Sequence, residues 1–161
     1  MKKLYTLLGL FSLYFLMACS SNVPAPILLK VMLNAGENIN PSSLSSANPV
    51  VVRIYQLSAI ADFKGAQVLD LYQKDSELLA QSLLHKQELR SVLPNEQRKL
   101  QLSIQPGTKY IAVFSQFSNY AQAKNKAWLD VSNIDELASI TLSIESLSVN
   151  MQPVLVESFW L

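Results

Sequence analysis

Strict alternation of apolar and polar residues is the feature that most limits what this chain can build. Leu100, Leu102 and Ile104 face one way while Lys99, Gln101, Ser103 and Gln105 face the other, and Ile140, Leu142 and Ile144 repeat the pattern against Ser139, Thr141, Ser143 and Glu145. A period of two sends successive side chains to opposite faces of an extended strand, so both stretches predict strands with one buried face. After Glu145 the apolar parity switches to Leu147, Val149 and Met151. One extra residue flips every side chain that follows, which predicts a turn or bulge near Glu145-Ser146.

Residues 50–57 and 110–117 are apolar on both faces and rich in β-branched and aromatic side chains, and they begin at Pro49 and just after Pro106-Gly107. Both read as central strands. Weaker strand signals cover residues 27–33, 84–92, 126–131 and 154–159. The expected fold is mostly β, a two-layer antiparallel β-sandwich of about eight strands. Residues 59–83 break the rhythm. Ala66, Leu69 and Tyr72 recur at helical spacing there and Asp75 can cap a further turn through Leu79, so short helices are expected between the second and third strands, with Phe63 and Tyr72 packing them down.

The amino end is a different kind of segment. Lys2 and Lys3 precede an apolar run over residues 4–17, and small Ala18 stands before Cys19, the layout of a secretory signal. The run is shorter than the roughly 20 apolar residues a membrane-spanning helix needs, and Thr6 and Ser12 interrupt it. Residues 1–18 are therefore read as a removed leader, residues 19–26 as a tether with two prolines, and residues 27–161 as the sandwich domain. Fully extended, residues 20–26 reach roughly 25 Å at most. Leu16-Met17-Ala18-Cys19 resembles the bacterial lipobox, which implies that Cys19 becomes the acylated first residue of the mature protein. Several acyl chains hold a protein on a membrane where one binds only marginally. Ser20, next in line, resembles the address for the outer membrane, so the expected location is its periplasmic face.

Several chemistries are excluded or weakened by what the domain lacks. Cys19 is the sole cysteine, so a lipid on it leaves no thiol for a disulfide, a metal site or a nucleophile. His85 is the sole histidine and lies in a predicted strand. Loss of the leader removes two of the 13 basic residues and none of the 12 acidic ones, moving the formal charge from +1 to −1. Nothing in that balance forms the basic stripe a nucleic acid would need. No cofactor or metal is expected. Asp62, Asp70, Asp75 and Glu77 in the insert and Asp130, Asp135 and Glu136 later fall at predicted caps and turns, the ordinary structural places for carboxylates. A glycan hydrolase would need two of them converging in a cleft, with Trp128 or Trp160 as a stacking surface. An apolar-ligand carrier or pilotin would need an enclosed cavity.

Asn48-Pro-Val-Val-Val-Arg-Ile-Tyr-Gln-Leu57 closely resembles the signature strand of the TssJ family, the outer-membrane lipoproteins of type VI secretion systems. Asn34, Phe63, Leu71-Tyr72, Leu83-Leu84, Pro94, residues 114–117 and Trp128 fall at family-like positions in the same order, so the resemblance covers most of residues 29–131. Ala112 and Ser115 stand where the family tends to have Gly and Ala, and Ser118 and Leu129 where it tends to have Arg. The resemblance implies a transthyretin-like sandwich with a helical insert and no catalysis. It also implies a partner, the periplasmic C-terminal region of TssM, which works with TssL in one membrane complex. In that family the loop after the first strand is associated with TssM contact. Here that loop is residues 35–48, already conspicuous because connections of more than about 12 residues are uncommon in compact domains. Ile39 and Leu44 are expected to act as apolar anchors, with Asn38, Asn40 and Asn48 supplying hydrogen bonds.

Overall fold

A computed structural model describes residues 26–44 and 46–156. Eight strands form two four-stranded sheets. In chain order they are β1 (Ile27–Ala35), β2 (Val50–Leu57), β3 (Leu83–Val92), β4 (Gln97–Ile104), β5 (Tyr110–Ser115), β6 (Lys126–Asp130), β7 (Leu137–Glu145) and β8 (Ser148–Leu155), with helices α1 (Ala61–Gly65) and α2 (Val68–Leu78) between β2 and β3. One sheet has the order β4-β1-β7-β8 and the other β3-β2-β5-β6. The leader and most of the tether, with Cys19, lie outside the described residues, as does Trp160.

The expected sandwich is present, with one correction. It is not wholly antiparallel, because β1 and β7 pair in parallel from Val31↔Ile140 to Ala35↔Ile144. The parity switch at Glu145 is a hairpin: Glu145 pairs with Ser148 across a two-residue turn in which Ser146 has φ 49°. The last described strand is the return arm, Ser148–Leu155; of the strand expected over residues 154–159, residues 157–159 lie outside the described residues. Pro153 is tolerated because β8 lies at the edge of its sheet, where a missing N–H breaks no ladder.

Alternation along β2 explains why it is apolar on both faces. Val50, Val52 and Ile54 join Leu33, Ile111, Val113, Ile140, Leu142 and Ile144 in the core between the sheets. Tyr55 and Leu57 face outward, and with Ala112 and Phe114 of β5 they receive Phe63, Leu71 and Leu79 of the insert in a second core. The space between the sheets is thus filled with side chains, the opposite of what a carrier cavity requires.

Polar side chains from the sheet hold the insert in place. Lys126 Nζ donates to the carbonyls of Phe63, Lys64 and Ala66 at 3.2, 2.9 and 2.8 Å, satisfying the free carbonyls at the end of α1. Arg53 donates to the carbonyls of Leu71 and Tyr72 at 3.0 and 3.2 Å, where α2 kinks at Lys74. A further turn starts at Asp75, as expected. Its carboxylate accepts from the Tyr55 hydroxyl at 2.8 Å, from Arg53 at 3.2 Å and from Lys86 at 3.1 Å. Burial alone would raise the Asp75 pKa, but hydrogen bonds from Tyr55 and Lys86 and the charges of Arg53 and Lys86 outweigh it and hold the carboxyl below its ordinary value. Burial and the same hydrogen bond push the Tyr55 phenol well up. Arg53 and Tyr55 therefore fasten the insert to the sheet.

Candidate partner-binding surface

The pairings sort every connection to one of two ends. Strand β1 starts opposite Ile104 and runs to Asn34 opposite Gln97, so the chain enters at one end of the sandwich and delivers residues 36–49 to the other. The β3–β4 connection (residues 93–96), the β5–β6 connection (116–125) and the β7–β8 turn (146–147) lie at that same distal end.

Hydrogen bonds knit these four connections together. Gly36 N donates to Ile144 O at 2.9 Å, Asn95 N to Gly36 O at 3.0 Å, and Asn40 N to Ser146 O at 2.8 Å. The Asn40 side chain spans the group, donating to Pro49 O at 2.8 Å and accepting from Ser118 N at 2.7 Å. Asn48 closes the neck of the loop, its N–H reaching Ile39 O at 3.0 Å and its amide reaching Asn40 O at 3.0 Å. Among the described residues the non-glycine residues with positive φ are Asn40, Asn95 and Ser146, and all three sit in this network. Asparagine visits that region cheaply and serine less so; such conformations persist only where the surroundings hold them.

These contacts divide the predicted site residues. Ile39 is a correction: at 0% exposure it belongs to the core between the sheets, because the loop folds back and seats it there, and it is not a surface anchor. Asn40 is only 4% exposed and its amide is spent inside the molecule. Asn48 is half-buried and pinches the loop shut. Asn38 is exposed. Leu44 stands 96% exposed at the loop tip, where Ser42 Oγ accepts from its N–H at 3.3 Å. Leu44 is the most exposed of the large apolar side chains at this end, which also exposes Leu93 and Tyr120.

The surface extends beyond the predicted loop. Pro41, Ser42 and Ser43 face Ser118, Asn119 and Leu147 across a groove of about 500 Å³. Of the four departures from the family-like pattern, Ser118, at a position where the resemblance leads one to expect arginine, falls on this surface, whereas Leu129, in β6, faces the other end. Sequence alone could not bring residues 118–119 or 147 to the loop, since only the tertiary pairing makes them neighbours. Residues 38–48 contain no ionisable side chain, and the exposed Glu37 precedes them in the same connection.

Among the candidate carboxylates two are engaged within the insert, while Asp130 and Glu136 line one open groove with Leu137 and Leu155. Asp75 is committed to the insert and Asp70 pairs with Lys74 at 3.1 Å. No group of three or more His, Cys, Asp or Glu able to hold a metal occurs among the described residues. Trp128 lies beside the insert, with Lys64 Nζ 5.0 Å from its ring centroid, a cation–π contact rather than an open sugar platform.

Residues 28–149 match the family model described as type VI secretion lipoprotein, VasD, EvfM, TssJ, VC_A0113. The chain belongs to the TssJ family of type VI secretion lipoproteins. Solved structures share the TssJ fold. The TssJ1 lipoprotein of Pseudomonas aeruginosa is 21% identical with a TM-score of 0.69, over 82% of this chain and 99% of that one. Serratia marcescens Lip, described as a membrane-bound component of the type VI secretion system, is 16% identical with a TM-score of 0.67, over 79% and 96%. A third chain, in a structure described as the TssM C-terminal domain from EAEC, is 20% identical with a TM-score of 0.65, over 79% and 98%. Among curated proteins, none matches by sequence.

Proposed function

We propose that this TssJ-family protein is an outer-membrane adaptor, held by a covalent lipid on Cys19 and binding the periplasmic C-terminal region of TssM, which acts with TssL in the same complex. Its work is the linkage of two membranes, without catalysis or cofactor. The observation that carries this reading is the direction of β1. The chain enters the domain at Ile27 and emerges into the loop at the opposite end, so an anchor at Cys19 leaves the pinned loop facing away from the bilayer. The family match and the likeness to a chain in a structure described by TssM support the choice of partner.

Within this reading Leu44 enters an apolar pocket on the partner and Asn38 adds a polar contact, while Ile39, Asn40 and Asn48 act indirectly by fixing the shape of the loop. A preformed loop loses less entropy on binding than a mobile one. The test is affinity for the purified TssM periplasmic region. Leu44→Asp, and replacement of residues 42–47 by two glycines, should each weaken binding by roughly tenfold or more, the scale of an interface hot spot. Both should leave circular dichroism unchanged. Full-strength binding by both variants would remove the loop from the interface.

A further inference from the structure

The end at which the chain enters carries an apolar patch that the adaptor role does not use. Ile27 and Leu28 at the start of β1 are 47% and 58% exposed, and Val154, Leu155 and Val156 at the end of β8 are 43%, 59% and 54% exposed. Strand β7 alone separates β1 from β8, which puts the two groups on the order of 10 Å apart. Leu28 faces away from the core while Leu155, paired with Leu137, faces the side of the opposite sheet, so these residues ring the end of the sheet instead of lining one face.

We propose that this apolar end is a second membrane contact, seated on the lipid surface to which the chain is tethered. The inference rests on the Cys19 anchor proposed above. Residues 20–26 reach roughly 25 Å when extended, so the end bearing Ile27 cannot move far from the bilayer, and the patch surrounds the point where the tether joins the fold. Phe159, Trp160 and Leu161 follow Val156 in the sequence and add residue types that favour the interface between lipid and water. Asp130, Asp135 and Glu136 belong to β6 and the β6–β7 connection at this same end, so attraction of the patch to anionic headgroups is not the driving force. The contact is apolar, and on an anionic bilayer the neighbouring carboxylates oppose it, so it does not weaken as salt screens them. With both the tether and the patch engaged, the sandwich stands upright on the membrane instead of swinging on its linker.

The test uses the mature lipidated protein reconstituted into vesicles of phosphatidylethanolamine and phosphatidylglycerol, part of them with brominated acyl chains. No cysteine other than Cys19 occurs in the sequence, so Leu155→Cys and Leu44→Cys each introduce a single site for an environment-sensitive fluorophore. A side chain lying several ångströms into the headgroup boundary should be quenched by bromine roughly threefold more at position 155 than at position 44, with the ratio no smaller at high salt than at low. Equal, weak quenching at both positions overturns the proposal while leaving the anchor intact. A blue-shifted but unquenched fluorophore at position 155 means that protein covers the patch, a second copy or residues 157–161, and also overturns it. Protein that fails to co-sediment with the vesicles refutes the anchor and this contact together.

Discussion

The two faces of β2 support two cores of different construction. Toward the opposite sheet, Val50, Val52 and Ile54 join an apolar cluster, and alternation alone puts them there. Toward the insert, Tyr55 and Leu57 meet Phe63, Leu71 and Leu79, but the helices above are short, one of five residues and one of 11 with a kink at Lys74. Neither has a side-chain hydrogen bond at its N-cap. Helices of this length do not hold themselves together in water. The sheet supplies what they lack, since Lys126 and Arg53 donate to their terminal carbonyls and Asp75 returns a carboxylate to Tyr55, Arg53 and Lys86. The first core is held mainly by area, with the buried Gln56 amide bridging the sheets at one end through Ser103 O and Gln105 N; the second is held by area plus a cluster of charged contacts.

That contrast can be broken or sharpened. The largest loss is expected in the first core, where Leu142→Ala should cost about 2–5 kcal/mol in urea unfolding, because a close-packed site relaxes little around the cavity. Asp75→Ala should cost about 2–3 kcal/mol, since it leaves the Tyr55 hydroxyl and two cations without their shared acceptor. A change below that of a surface substitution would mean that apolar contacts alone hold the insert. The same carboxylate should set part of the acid response. Its folded pKa lies below the unfolded value of about 3.9, so its stabilisation is complete above that pH and disappears as pH falls through the lower folded value. Asp75→Asn should therefore flatten the acid limb of the unfolding midpoint plotted against pH, and an unchanged limb would remove Asp75 from it.

Lys126→Met should cost about 1 kcal/mol, with faster proteolysis confined to residues 58–82. Cleavage elsewhere at the same rate would show that the insert is not a separately held unit. The smallest change should come from Leu44→Ser, within about 0.5 kcal/mol of the parent, because its side chain touches water rather than either core.

Much of the first core was legible from period-two patterning, and β2 and β5 were placed at the centres of their sheet because both of their faces are apolar. The insert was legible too, including the extra turn at Asp75. What escaped was non-local. Strand β7 alternates identically whether its neighbour runs parallel or antiparallel, so the pairing with β1 left no mark in its own residues. Ile39 looked like an isolated apolar residue on a polar loop, and only the return of the chain to Ile144 and Ser146 seats it in the core. The roles of Lys126 and Arg53 were hidden for the same reason, since the carbonyls they cap lie more than one element away.

Strand β1 also has a mechanical meaning. It is flanked by β4 from Ile27 to Asn34 and by β7 from Val31 to Ala35, and it alone connects the entry point to the loop end. Tension applied at residue 26 while the loop is gripped runs along the axis of this strand and strains the rungs on both sides together, in shear. Unzipping them one at a time would need a sideways pull, so a chain threaded this way resists most strongly along the line joining its two attachments.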